Sequence, residues 1–241
     1  MFPTFVNAGT IVFGTIVGLL VGTRLTARYK HVVFTAVGAV ALLIGISMAL
    51  EAERTLYLAL ALVLGGLLGT ALGIEDAIYR LGERLKNRFA PEHHGESGAD
   101  VVHPFAQGFL TASVLFCVGA LAIIGAFEAG AQGSYALLLT KSVMDGFLAI
   151  LLSAAYGVGV GFSALSILVY QGGLTLLSGL LRPLVTPLML SEISGVGGVM
   201  VIMIGLNLLD LRSIKTANFL PGLLIVVVLV LLDPWIGRFV L

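Results

Sequence analysis

Charged residues are scarce in this chain, and their scarcity limits the class of protein first. Only 11% of the 241 residues are Asp, Glu, Lys or Arg, whereas 59% are hydrophobic. A soluble domain usually carries about 25% charged residues, because its surface faces water. The composition therefore excludes an ordinary soluble domain and predicts an integral membrane protein.

Other absences narrow the function. The single cysteine, Cys117, excludes an intramolecular disulfide, and 13 cations balance 13 acids, so no charge excess indicates nucleic acid. No cysteine or histidine cluster has metal-ligand spacing, and we expect no cofactor. His93, His94 and Glu96 are a weak metal candidate, and a solvated loop is the favoured interpretation there. No Ser–His or Cys–His arrangement, HExxH motif, intramembrane Asp pair or nucleotide loop is evident, so we expect no enzyme.

The hydrophobic residues fall into eight long runs. A helix that crosses the hydrocarbon core needs about 20 mostly apolar residues. Such runs occupy residues 4–23, 32–50, 55–73, 105–127, 143–160, 162–181, 194–211 and 217–237. The predicted fold class is therefore all-α, a polytopic membrane helical bundle with about eight spans.

The distribution of positive charge predicts how the bundle is oriented. Short cytoplasmic loops carry an excess of Lys and Arg. Such residues concentrate in the loops after spans one, three and seven: Arg24, Arg28, Lys30, Arg80, Arg84, Lys86, Arg88, Arg212 and Lys215. Placing these loops in the cytoplasm puts both termini outside and predicts a multi-pass membrane protein.

One long polar segment separates the apolar runs. Within it, five apolar residues fall on a single helical stripe: Ile74, Ile78, Leu81, Leu85 and Phe89. This pattern predicts an interfacial amphipathic helix over residues 74–89, followed by a flexible linker over 90–100.

Two parts of the chain resemble each other. Residues 36–46 (AVGAVALLIGI) match residues 196–206 (VGGVMVIMIGL). With shifts of 160 and 158 positions, the matched residues are Gly38 with Gly198, Gly45 with Gly205, Gly14 with Gly172 and Arg24 with Arg182. Spans one and two then correspond to spans six and seven, an offset of five spans. Because successive spans alternate in direction, an odd offset predicts that the two copies cross the membrane in opposite directions. Inverted repeats of this kind are typical of secondary transporters.

The repeat divides the chain into four segments. Residues 1–73 form a first three-span repeat, and residues 74–104 form the cytoplasmic amphipathic helix and linker. Residues 105–161 are a connecting pair of spans, and residues 162–241 are the second, inverted three-span repeat.

Polar side chains inside the spans are candidates for a functional site, because burying them in lipid is costly. Asp145 follows Lys141 by one helical turn, so the two side chains can pair. Asp145 is either a carboxylate coupled to an ion or proton, or half of a helix-start pair at the interface. Gln171 precedes Gly172 and Gly173, which predict either a broken helix at the midplane or an interhelical hydrogen bond.

Three further amides and one carboxylate complete the candidate set. Asn7 lies in span one, Asn207 in span seven and Asn218 before Pro221 at the start of span eight. Pro221 is expected to kink span eight and free a carbonyl near residue 217, which favours a cation or polar-solute site. A satisfied helix–helix hydrogen bond is the alternative for each amide. Glu192 precedes span seven, where a helix-capping role is favoured.

Several segments together are similar to a known family. They are residues 116–119 (FCVG), 141–147 (KSVMDGF), 170–172 (YQG), 205–209 (GLNLL) and 218–221 (NFLP). The chain resembles the bacterial membrane family called domain of unknown function 554 over nearly its whole length. One departure is Ala120, where that family tends to have proline. The resemblance implies an integral protein of the bacterial inner membrane and carries no substrate.

The function predicted from the residues is secondary transport of a small polar solute or ion, by alternating access between the two repeats. A channel and a membrane scaffold or partner subunit remain as alternatives. The expected partners are the lipid bilayer and the solute, and the glycine-rich helix faces leave a homodimer open.

Overall fold

The computed structural model describes residues 1–22, 26–89, 104–117, 120–181 and 185–240. These residues form helices and loops, and no strand occurs among them. The α-helices are α1 (Phe2–Gly22), α2 (Ala27–Ala49), α3 (Thr55–Leu72), α4 (Ile74–Phe89), α5 (Pro104–Cys117), α6 (Ala120–Phe127), α7 (Ala136–Tyr156), α8 (Ser163–Leu181), α9 (Pro187–Leu208) and α10 (Pro221–Val240). A π-helical turn covers Glu128–Gln132, and 3-10 turns cover Val158–Phe162 and Thr216–Phe219.

Most of these helices suit a membrane. Within the described ranges, seven are long and apolar enough to cross one, and α5 with α6 counts as an eighth if that bent pair is one span. The axes of this pair differ by 57°. The all-α polytopic fold is therefore confirmed, with seven or eight candidate spans.

Two predicted spans begin too late. The fifth begins at Ala136 rather than at 143, and the seventh begins at Pro187 rather than at 194. In both places a charged residue, Lys141 or Glu192, was interpreted as lying outside the membrane. The structure instead buries both side chains against polar partners, so the helices continue past them.

The helix breaks also differ from those predicted. α8 runs without interruption through Gly172 and Gly173, so the break expected at these glycines is wrong. A break occurs instead at Gly157, whose φ of 84° favours glycine, and another separates α5 from α6. At Pro221 the expected discontinuity is confirmed, because a 3-10 turn precedes α10 there.

The carbonyl expected to be free near Pro221 is not free. The Ala217 oxygen accepts a hydrogen bond from the Leu220 N–H at 3.1 Å, as the 3-10 turn requires. The turn thus replaces the bond that proline removes, and the prediction of an exposed carbonyl at this position is wrong.

α9 is the central helix of the bundle. Within its candidate span 67% of the residues are buried, against 22% in the spans of α2 and α3. α2 crosses α9 through backbone contacts at glycines. A β-carbon on Gly198 would lie 2.6 Å from the Gly45 oxygen, and one on Gly205 would lie 3.0 Å from the Gly38 oxygen. The absence of side chains at these positions lets the two antiparallel helices approach closely.

The amphipathic helix has the predicted bounds. α4 covers Ile74–Phe89, and its apolar residues Ile78, Leu81 and Leu85 line a cavity of about 460 Å³ beside α5, α8 and α10. Lys215, in the α9–α10 loop, pairs with Asp76 at 2.8 Å. These contacts tie α4 to the end of the bundle.

Some predictions fall on residues that are not described. The linker over 90–100, including His93, His94 and Glu96, lies outside the described ranges, as do Arg24 and Arg182 of the proposed repeat.

Candidate functional site

Three helices bring polar side chains together inside the bundle. Asn7 of α1 donates from Nδ2 to Asp145 Oδ2 of α7 at 2.9 Å and to Gln171 Oε1 of α8 at 3.1 Å. Gln171 donates in turn from Nε2 to the Thr4 hydroxyl oxygen at 3.3 Å. Thr4, Asn7 and Gln171 are fully buried, and Asp145 is 5% exposed. Three predicted site residues therefore meet directly.

A buried ion pair extends this cluster. The Lys141 ammonium contacts the Asp145 carboxylate, and it also donates to the Phe116 carbonyl oxygen at 2.8 Å. Phe116 is in the last turn of α5, where carbonyl groups lack partners within the helix and the helix dipole is negative. The C-terminal end of α5 thus provides a backbone carbonyl with partial negative charge for the lysine, and α6 begins after it at Ala120.

The position of this ion pair separates its two interpretations. Asp145 lies near the middle of α7, which Tyr135 precedes as the N-cap residue. The Ser142 hydroxyl donates to the Leu138 carbonyl within the helix rather than capping its start. The interpretation as a helix-start pair is therefore wrong, because the charged pair lies inside a helix that is a candidate span.

A cavity of about 270 Å³ adjoins the ion pair. It lies between α2, α5, α6, α7 and α9, and both Lys141 and Asp145 line it. Ser194 of α9 and Glu51 after α2 are the other polar lining residues, and the remaining wall is apolar. The pair therefore supplies the buried charges in the wall of a largely apolar space.

Some buried polar atoms have no partner. In the described part of the chain, four such atoms lack a hydrogen bond, and two belong to predicted site residues: Asn7 Oδ1 and Glu192 Oε2. Buried polar groups in proteins are nearly always paired. Asn7 therefore leaves one acceptor open in the cluster.

Glu192 lies apart from the cluster. Its Oε1 accepts hydrogen bonds from the backbone N–H groups of Glu53 at 2.9 Å and Arg54 at 2.6 Å, at the start of α3. On the same face of the molecule, the Tyr57 hydroxyl donates to Asp233 Oδ1 at 2.6 Å. The predicted role of Glu192 at the start of its own helix is therefore wrong, because Thr186 is the N-cap residue of α9 and Glu192 instead bonds the backbone at the start of α3.

Asn207 and Asn218 also lie apart from the cluster. Asn207 exchanges hydrogen bonds of 2.8 Å with the backbone of Ile214 and so closes the turn after α9. Asn218 Oδ1 accepts from the Glu75 N–H at 2.9 Å, and Glu75 Oε2 accepts from the Ala217 N–H at 2.9 Å. These amides stabilise the α9–α10 loop and join it to α4.

The two acids at the start of α4 differ in their electrostatics. Burial raises the pKa of Glu75, and this effect outweighs the hydrogen bond from the Ala217 N–H, which lowers the pKa. The hydrogen bond from Lys215 lowers the pKa of Asp76, and Asp76 correspondingly raises the pKa of Lys215. Asp76 and Lys215 therefore both remain charged at neutral pH, whereas Glu75 takes up a proton more readily than an exposed glutamate.

The sequence did not single out several residues of these sites. Thr4 and the Phe116 carbonyl belong to the cluster, Ser194 lines the cavity, and Glu75 joins α4 to the α9–α10 loop. Only Glu75 has a local signal, an acidic residue in the first turn of an amphipathic helix. The others depend on contacts between distant parts of the chain.

Comparisons with known proteins agree with the predicted resemblance. A family model described as "Protein of unknown function (DUF554)" matches residues 2–231. The "Uncharacterized membrane protein YdfK" of Bacillus subtilis (strain 168) is 30% identical over 229 residues, covering 93% of each chain. The "Uncharacterized protein YqgA" of Escherichia coli (strain K12) is 29% identical over 221 residues, covering 92% of each chain. No solved structure matches the chain. The protein is thus a membrane protein, and the chain belongs to the DUF554 family of proteins of unknown function.

Proposed function

We propose that this protein is a secondary transporter of a small polar solute or ion in the bacterial inner membrane. The observation that carries the proposal is the buried Lys141–Asp145 pair, hydrogen-bonded to Asn7 and lining a cavity of about 270 Å³. Charged residues within membrane spans are costly and usually mark the path of a solute or ion.

The broken fourth span supports the same proposal. Transporters commonly build midplane sites from discontinuous helices, whose freed carbonyl groups face cations. Here the Phe116 carbonyl at the end of α5 binds the Lys141 ammonium. The bend between α5 and α6 therefore supplies a backbone ligand beside the cavity.

The α2–α9 crossing supports an inverted repeat. The sequence match relates Gly38 to Gly198 and Gly45 to Gly205, and the observed contacts join Gly38 to Gly205 and Gly45 to Gly198. If each glycine is replaced by its match, the Gly38–Gly205 contact becomes the Gly198–Gly45 contact. A two-fold axis through an interface relates its contacts in this way. An in-plane pseudo-dyad through this crossing is the arrangement that alternating access between repeats requires.

Contacts at the two ends of α3 supply two gates. We name the contact of Glu192 with the N–H groups of Glu53 and Arg54 the α2–α3 latch. We name the reciprocal contact of Glu75 and Asn218 the α9–α10 latch. The 18 residues of α3 separate them by about 27 Å, roughly the thickness of the hydrocarbon core. The positive charge of the loops assigns the α9–α10 latch to the cytoplasmic side.

Entrance counterflow tests transport and needs no imposed gradient of a coupling ion. Proteoliposomes preloaded with one unlabelled solute are given the same solute in labelled form, across a panel of amino acids, sugars, polyols, carboxylates, polyamines and sodium. We expect saturable counterflow for one class and its loss in Gln171→Ala, because Gln171 holds Asn7 in the cluster. Thr140→Ala, which removes an exposed hydroxyl on the same helix as the ion pair, is the matched control.

Two results would reject transport. Counterflow of no solute by the folded wild type is one, and equal counterflow in Gln171→Ala is the other. Unitary currents in planar bilayers would instead establish a channel.

The latches predict opposite changes in access to the cavity. The reporter is Val201→Cys, which lines the cavity, in a protein that also carries Cys117→Ser. Its labelling by a membrane-impermeant maleimide is measured from each side. Glu192→Ala should speed labelling from the α2–α3 side at least tenfold. Glu75→Ala should speed labelling from the other side, because each change removes one gate. Arg212→Ala, at an exposed loop position, is the control. Equal labelling of all variants from both sides would contradict the gating role.

A further inference from the structure

The charge of the cavity limits what it can bind. Its buried charges are one cation, Lys141, and one anion, Asp145, about one helical turn apart and each 7% exposed, whereas the third charged lining residue, Glu51, is exposed. A ligand with a single charge would bind one of them and leave the other buried without its counter-ion, which is strongly unfavourable. A ligand carrying both charges can pair with both.

Each member of the ion pair also has a second partner. Lys141 donates to the Phe116 carbonyl, and Asp145 accepts from Asn7 Nδ2. If the direct contact between the ammonium and the carboxylate opens, neither group loses its last protein partner. A ligand can therefore enter between them at a smaller cost than in an isolated pair.

The size and lining of the cavity set the size of the ligand. A volume of about 270 Å³ lies just below the usual range of ligand pockets, about 300–1,000 Å³, which suits a small solute. Most of the remaining wall is hydrocarbon, supplied by Ile44, Met48, Leu115, Leu121, Leu148 and Val201. Such a wall accepts a short apolar side chain.

We propose that the cavity binds a small zwitterion of the amino-acid class, with its carboxylate on Lys141 and its ammonium on Asp145. The ligand replaces the direct contact between the two side chains with two contacts of its own. Asn7 is a positioning residue, because it holds the Asp145 carboxylate while Lys141 turns to the ligand. This inference rests on the proposed transport function and names its substrate class.

Matched ligands test the inference. Thermal unfolding of the detergent-solubilised protein is followed with amino acids from glycine to valine, with their amides, which keep only the cation, and with the matching 2-hydroxy acids, which keep only the anion. We expect at least one amino acid to raise the Tm saturably, because a ligand that binds the native state stabilises it. Its amide and hydroxy acid should need at least tenfold higher concentrations. The same amino acid, labelled, should show counterflow.

The double variant Lys141→Gln with Asp145→Asn supplies the second measurement. It removes both charges without leaving one unpaired, so it should fold and yet lose the response to the amino acid at least tenfold. Equal effects of the amide or hydroxy acid, or a retained response in the double variant, would overturn the zwitterion. Counterflow of a sugar, polyol or singly charged solute that Gln171→Ala removes would overturn the zwitterion and leave transport standing. Counterflow of no solute would overturn both.

Discussion

Asp145→Asn should lower the free energy of unfolding by about 3–5 kcal/mol, because the change leaves the Lys141 ammonium buried without its counter-ion. Lys141→Gln should have a similar effect, because it leaves the carboxylate with only the neutral Asn7 amide. Thermal unfolding of the purified protein in detergent measures both.

The double variant separates charge balance from function. Changing Lys141 to Gln and Asp145 to Asn together removes both charges and keeps groups that can still bond Phe116 and Asn7. It should be more stable than either single variant, because no uncompensated charge remains. All three variants should lack transport. A double variant that is as unstable as the sum of the single changes would show that the two side chains act independently.

Gly198→Ala should destabilise the protein by about 3 kcal/mol, near the upper end of the usual cost of overpacking. The added methyl group would lie 2.6 Å from the Gly45 oxygen and closer still to the Ala49 nitrogen, so α2 and α9 would have to separate. The backbone on both sides leaves no flexible side chain to move aside.

Gly173→Ala is the matched control for this effect. A β-carbon at Gly173 meets no atom within 4 Å, and the residue lies inside the continuous helix α8. Alanine should therefore be neutral there or stabilise the protein by up to about 1 kcal/mol through its higher helix propensity. Equal losses of stability in Gly198→Ala and Gly173→Ala would mean that the α2–α9 crossing is not specially close.

The sequence predicted those parts of the fold that depend on local patterns of apolar residues. The polytopic all-α class, most spans and the bounds of α4 follow from long apolar runs and one amphipathic stripe, which are local patterns. The predicted starts of the fifth and seventh spans, near Lys141 and Glu192, are wrong for the same reason. A charge was interpreted as solvent-exposed, but partners elsewhere in the chain make burial of each charge tolerable.

The site could be predicted only as a set of candidates. Polar residues inside apolar runs identified Asn7, Asp145 and Gln171, but their contacts join positions 138 and 164 residues apart, and no spacing rule encodes such pairs. Asn207 and Asn218 had the same sequence signal and a different role. Asn207 bonds to the backbone of Ile214 in the loop that follows its helix, whereas Asn218 accepts from the Glu75 N–H, 143 residues away in sequence.

The crossing of α2 and α9 has a mechanical consequence. Where two helices meet through interlocked side chains, tilting one against the other forces rotamers to change. At Gly38, Gly45, Gly198 and Gly205 the two main chains approach each other closely, and the side chains of Leu42, Ile202 and Leu209 pack beside them. A small change of crossing angle there disturbs fewer side chains than at an interlocked interface, so this contact is suited to be the pivot of the bundle.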